Sequence, residues 1–188
     1  MKSFDEYLRL AGDGGHARSG IILGIRMAML GLREIALDSS DDHHDLIVFV
    51  ETDRCLPDAV ELVTGCRLGN RRLKFQDMGK MAATFVNMAA NRSIRVAARE
   101  TANQRALEMF PDLDKEEALS KAYCAISDDE LFNWKPVRVE LRMEDLPGYQ
   151  GPRVPCAKCG ESIAFARQIT VGQQALCRAC AGQSYYLP

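Results

Sequence analysis

Two Cys-x-x-Cys pairs, Cys156/Cys159 and Cys177/Cys180, stand near the C-terminus with seventeen residues between them. No other feature restricts the fold of this chain so tightly. A Cys-x-x-Cys pair at a tight turn aims two sulfurs at one point, and two such knuckles complete a tetrahedral four-sulfur shell. Thiolates select zinc or an iron–sulfur centre over hard cations. Zinc is the expected ion, and a rubredoxin-like iron is the other four-sulfur solution. Four protein thiolates close the shell, so the expected metal, Zn2+, is structural. A redox dithiol needs one such pair, normally beside a βαβ unit. The tail, residues 152–188, is therefore expected to be a zinc ribbon.

Disulfides would be the competing use of these thiols, and they belong to oxidising compartments. The N-terminus, Met1 to Tyr7, carries Asp5 and Glu6 where a signal peptide needs an apolar core. A reducing, cytoplasmic location is expected. No stretch of eighteen apolar residues suggests a membrane span. The net charge of -2 offers no general attraction to nucleic acid. With 188 residues, 47% of them hydrophobic, the chain can hold one substantial domain and one small one.

The larger domain, residues 1–147, reads as α+β. Ser3 and Glu6 form a capping box ahead of a short helix whose face is Phe4, Tyr7, Leu8 and Ala11. The Gly-rich turn at residues 12–15 breaks the chain, and His16 follows it as a loop or cap residue. Ser19 to Ile35 is apolar on most sides and should be a central, buried helix. Arg26 interrupts it and needs a partner there. Asp38 to Asp45, with His43 and His44, reads as a solvated turn, and Leu46–Val50 as a buried strand. Pro57 opens a helix to Val63, which Gly65 ends. Cys55 and Cys66 flank this helix, about 16 Å apart along it. The helix dipole favours a thiolate at Cys55; both residues can equally be small buried hydrophobes.

Lys80–Met88 is expected to be a strand. Ser93–Phe110 reads as a long helix and Lys115–Ile126 as another, capped by Asp114, with Cys124 as a packing residue. Asp128–Phe132 reads as a turn and the alternating Val137–Met143 as a strand. The helices of residues 93–126 hold more apolar surface than a minimal core needs, which predicts a homodimer.

Three motifs occur in order: Glu51-Thr-Asp-Arg-Cys-Leu-Pro-Asp-Ala-Val60, Thr64-Gly-Cys-Arg-Leu-Gly69 and Asp77-Met-Gly-Lys-Met-Ala-Ala-Thr-Phe85. In these the chain resembles the FmdE family of formylmethanofuran dehydrogenase proteins, over roughly residues 4–145. The resemblance implies an α+β core of helices on a small sheet, often dimeric, with a cleft lined by Cys and His that binds metal or reacts. His16, Cys55 and Cys66 are the site residues it implies, with a possible second metal in the core. The family's His-Gly-His-x-Cys-Pro-Gly stretch matches Gly14 to Gly20, where Gly14 stands for the first histidine and Arg18 for the cysteine. A guanidinium repels a divalent metal and suits an anion or a carboxylate such as Glu51 or Asp53. Arg18, Asp53 and Lys80 are the candidates for holding a cofactor.

Three functions compete at this stage. One is a metal-binding accessory protein that docks on a molybdenum- or tungsten-dependent oxidoreductase. A second is a thiol- or metal-dependent enzyme with Cys55 as nucleophile and His16 as base. The third is a ribbon that binds protein or nucleic acid through Lys158, Arg167, Arg178 and the aromatic residues Phe165, Tyr185 and Tyr186.

Overall fold

The computed structural model describes residues 2–12, 17–37 and 43–187. The chain separates into two compact units, Met1–Val139 and Glu140–Pro188.

The first unit is an α+β fold built around helix α2 (Ser19–Glu34). Helix α1 (Phe4–Ala11) precedes it and begins with the expected capping box: Glu6 N donates to Ser3 Oγ, and Ser3 N donates to Glu6. Strand β1 (Leu46–Val50) leads into α3 (Cys55–Thr64). Gly65 ends α3 at φ 68°, a left-handed backbone that glycine adopts without a Cβ clash. Strands β2 (Leu73–Phe75), β3 (Ala82–Asn87) and β4 (Arg92–Ala98) follow. Helices α4 (Glu100–Met109), α5 (Lys115–Ala125) and the short α6 (Asp128–Leu131) lead to β5 (Phe132–Pro136).

The five strands form one sheet in the order β2-β1-β3-β4-β5. β1 and β2 are parallel, and the other neighbours are antiparallel. Val48, Val50, Phe85, Ile94 and Val96 join the core with Ile25, Leu30 and Leu32 of α2 and Leu56 and Val60 of α3. α2 can lie this deep because two of its glycines meet neighbours directly. A Cβ on Gly24 would stand 2.6 Å from Ala59 Cβ, and one on Gly31 would stand 2.3 Å from the Phe85 ring. Arg26, interrupting this helix, finds the partners it needs. It donates to the carbonyls of Tyr123 and Ile126 and reaches Asp128 Oδ1 at 2.5 Å.

Residues 93–126 depart from the expected pair of long helices. Arg92–Ala98 is a strand, and Glu100–Met109 and Lys115–Ala125 are the helices. Ile94 and Val96 are buried while Ser93, Arg95 and Ala97 are only partly so, a period of two that a run this short disguises. Leu107 is 42% exposed, and Ala102 and Ala106 form the buried face of α4. α5 buries Ala118, Leu119, Ala122 and Tyr123.

Val137–Met143 is not a strand. β5 takes the edge beside β4 and uses its ladder from Ala98↔Phe132 to Ile94↔Pro136. Val137 N still donates to Ser93 O at 3.1 Å, but the ladder with β4 stops at Ile94↔Pro136. Alternation without a partner strand does not make a strand. The turn expected at Asp128–Phe132 is α6 running into β5. His43, expected in solvent, is 5% exposed, and its carbonyl accepts from Arg72 Nη1 at 2.8 Å.

The second unit holds two small antiparallel pairs, β6 (Val154–Pro155) with β7 (Ser162–Ile163) and β8 (Ile169–Val171) with β9 (Gln174–Leu176). Among its described residues, Cys156 and Ile163 alone are buried. So few apolar groups cannot offset the chain entropy of ordering this segment.

Gly31→Ala tests the burial of α2. Alanine normally stabilises a helix interior by about 0.5–1 kcal/mol over glycine. Here the methyl enters the space of the fully buried Phe85 ring. We expect a loss of about 1–3 kcal/mol in urea unfolding, with Gly69→Ala, which meets nothing within 4 Å, close to neutral.

Candidate functional site

The four paired cysteines converge. Their sulfurs all lie within 4.8 Å of one another, and Cys159 Sγ is 3.9 Å from Cys177 Sγ. A tetrahedral ion with metal–sulfur bonds of about 2.3 Å needs sulfurs about 3.8 Å apart, so the donor set fits zinc. The two turns also orient the sulfurs. Cys177 N donates to Cys156 Sγ at 3.3 Å, and Cys180 N donates to Cys177 Sγ at 3.4 Å. Gly160 closes the first knuckle at φ 77°, and its N–H bonds Cys156 O at 2.9 Å. Backbone N–H groups of Cys159 and Cys177 draw the Cys156 thiol down to about 6. Cys180 is pushed up to about 12, chiefly by its hydrogen bond with the Cys177 thiol. The backbone N–H groups favour the ionised form of Cys156, and a divalent cation beside it favours ionising the others.

The first unit has a different feature, a cavity of about 630 Å³ where the N-terminal ends of α2 and α3 meet α4 and α5. Cys55, the first residue of α3, lines it. Gly20 lies against this thiol, since a Cβ there would be 3.1 Å from Cys55 Sγ. Arg18 and Arg54 line the same wall, and Asn103, Glu116 and Tyr123 stand on α4 and α5. Glu116 caps α2 from outside the helix: Ser19 N donates to it at 2.6 Å and Ser19 Oγ at 2.9 Å. Tyr123 donates to Asn103 Oδ1, and burial pushes its phenol up to about 12. A second cavity of about 520 Å³ holds Lys80 and shares Leu23, Gly79, Met81 and Asn103 with the first.

The implied core site is only partly brought together. Cys55 reaches the cavity, while His16 lies outside the described residues, as does Gly14. Cys66 sits beyond the opposite end of α3, fully buried, with its sulfur 3.8 Å from Leu46 O. Burial raises its thiol above the ordinary cysteine value. A ten-residue helix between the two thiols holds them apart, so Cys55 and Cys66 share no centre. Asp53 is exposed and does not line the cavity; Arg54 does. Its place as the residue before α3 was the sequence signal for it. Glu51 is not a partner of Arg18. It accepts two hydrogen bonds from Arg95, both 2.6 Å, which hold its carboxyl below the usual value. Cys124, expected to be packed, is exposed.

The fold and its four-thiol cluster define an α+β core joined to a ribbon able to hold a metal ion. Residues 14–133 match the family described as FmdE, molybdenum formylmethanofuran dehydrogenase operon. The chain belongs to the FmdE family. Its fold is similar to that of a tungsten formylmethanofuran dehydrogenase FmdE-like protein from Syntrophus aciditrophicus, with a TM-score of 0.64 at 24% identity, covering 99% of this chain and 96% of that one. It is also 30% identical over 191 residues, 92% of this chain, to a probable S-adenosyl-L-methionine-binding protein of Archaeoglobus fulgidus. The chain spans about half of that relative's length, 51%. Among the described residues, no helix is long and apolar enough to cross a membrane.

Two outcomes follow from these environments. In the native protein a disulfide reagent should modify Cys55 and Cys124 and spare Cys66 until urea unfolds the chain. Rapid labelling of Cys66 in native buffer would contradict its burial. Glu51→Gln should cost about 1.5–3 kcal/mol at pH 7, the worth of hydrogen bonds to a charged group. Because the folded carboxyl is depressed, its contribution is full above the unfolded pKa and fades as pH falls through the folded value. The variant should therefore lose less stability than wild type on acidification.

Proposed function

We propose that this protein is a metal-binding accessory protein of the FmdE type, with one structural zinc held by Cys156, Cys159, Cys177 and Cys180. The observation that carries this reading is the convergence of four sulfurs in a unit with almost no core of its own. A bound zinc supplies folding free energy to such a unit, and a shell of four thiolates leaves no open position for substrate. The ribbon's other residues position the sulfurs through backbone N–H groups and the Gly160 turn.

The core belongs to a family named for the molybdenum formylmethanofuran dehydrogenase operon. From that name, and from the tungsten protein that shares its fold, we infer a role beside a molybdenum- or tungsten-dependent oxidoreductase. The accessory reading is preferred to a self-sufficient thiol enzyme for a chemical reason. Glu116, the described carboxylate that lines the cavity with Cys55, is committed to Ser19.

Elemental analysis tests the reading. Purified protein should carry one zinc per chain, and Cys156→Ser/Cys159→Ser should carry none while keeping the helical content of the first unit. Cys55→Ser should retain the zinc. Iron at one equivalent would overturn the choice of metal, and zinc surviving in the double variant would overturn the assigned ligands.

A further inference from the structure

The cavity beside Cys55 is lined by cations that no described carboxylate of the first unit pairs with. Arg18 and Arg54 stand on its wall, and Lys80 stands in the adjoining cavity. Among the described residues, neither Arg18 nor Arg54 is in an ion pair, while the Lys80 charge acts on the Glu51 carboxyl. The carboxylates nearby are accounted for differently. Glu51 is held by both nitrogens of Arg95, and Glu116 accepts from Ser19 N and Oγ. Glu100 in the adjoining cavity accepts from Asn103 Nδ2 at 3.0 Å. Arg99 there donates to Phe132 O at 2.8 Å. Arg18 and Arg54 outnumber Glu116, the one carboxylate among the described residues lining the Cys55 cavity, so its net charge is positive.

The two helix ends at this cavity differ. The chain supplies α2 with a carboxylate, that of Glu116. α3 begins at Cys55 with no side-chain cap. A helix N-terminus carries unsatisfied N–H groups, so this end adds donors beside Arg18 and Arg54, with Asp58 as the acid of its first turn. The remaining lining is apolar at Leu23, Met81 and Leu119 and polar at Thr52, Asn103 and Tyr123. That combination suits an organic body with one charged end.

From these observations we infer that the cavity binds a small organic anion, its carboxylate or phosphate held by Arg18 and Arg54 beside the Cys55 thiol. Arg18 is central. A guanidinium offers a planar fork of donors to an oxyanion, and Arg18 presents one on the cavity wall. The inference does not rest on the zinc of the ribbon, and its failure leaves that reading intact.

The thiol provides an internal reporter. Iodoacetate and iodoacetamide both alkylate cysteine: the thiolate sulfur bonds to the methylene carbon, iodide leaves, and the thiol proton passes to buffer. They differ in that iodoacetate carries a carboxylate. Rates at Cys55 and at the exposed Cys124 are read by mass spectrometry on the full-length protein. A cationic cleft concentrates anions by about tenfold or more at low salt. The iodoacetate-to-iodoacetamide rate ratio should therefore be about tenfold higher at Cys55 than at Cys124. It should fall to the Cys124 value in Arg18→Gln/Arg54→Gln. Calorimetric titration with inorganic phosphate supplies a second arm that does not depend on thiol reactivity. One saturable site, lost in the same double variant, would assign phosphate. A selective iodoacetate effect without phosphate binding would assign a carboxylate. Equal rate ratios, or an unreactive Cys55, together with no saturable phosphate binding would overturn the inference.

Discussion

The contact on which the first unit depends is the approach of α2 to its neighbours at Gly24 and Gly31. At both positions the missing side chain is replaced by a partner's atoms, Ala59 of α3 on one side and the Phe85 ring of β3 on the other. Interiors this close-packed accept no added methyl without displacement. α2 is thereby fixed against both the sheet and α3, and the N-terminal ends of the two helices open side by side. The cavity follows from that arrangement. Gly20 lies against Cys55, and Ser19 is anchored by Glu116 from α5. The site is a by-product of how one helix is packed, with charge added at Arg18 and Arg54.

The two units meet the problem of stability by different physics. The first buries a continuous apolar cluster drawn from α2, α3 and the sheet. The second buries Cys156 and Ile163 and little else among its described residues. A segment of that size needs a staple, and four converging thiols are the only such chemistry its described residues offer. Local geometry has prepared them. The knuckle turns already direct backbone N–H groups to Cys156 and Cys177, which favours the ionised sulfur a metal requires.

Much of this was legible in the sequence where a local rule was sufficient. The capping box at Ser3, the left-handed Gly65, the apolar breadth of α2 and the Cys-x-x-Cys spacing each have a local cause, and each is present. The family motifs likewise pointed to the FmdE fold. Legibility failed where partners at long range decide the outcome. Arg92–Ala98 is a strand because β3 and β5 flank it, and no local rule announces that. Val137–Met143 alternates and yet has no strand to pair with. Of the residues the motifs singled out, Cys55 and Lys80 line cavities, while Cys66 lies beyond the far end of α3 and Asp53 is exposed. Arg54, which lines the cavity, was not among the sequence candidates.

The central claim is that the ribbon is closed by zinc on four thiolates. X-ray absorption at the metal edge of the purified protein tests it most directly. The account predicts a zinc edge with a single shell of four sulfurs at about 2.3 Å. A shell containing nitrogen or oxygen, or an iron edge in place of zinc, would contradict it.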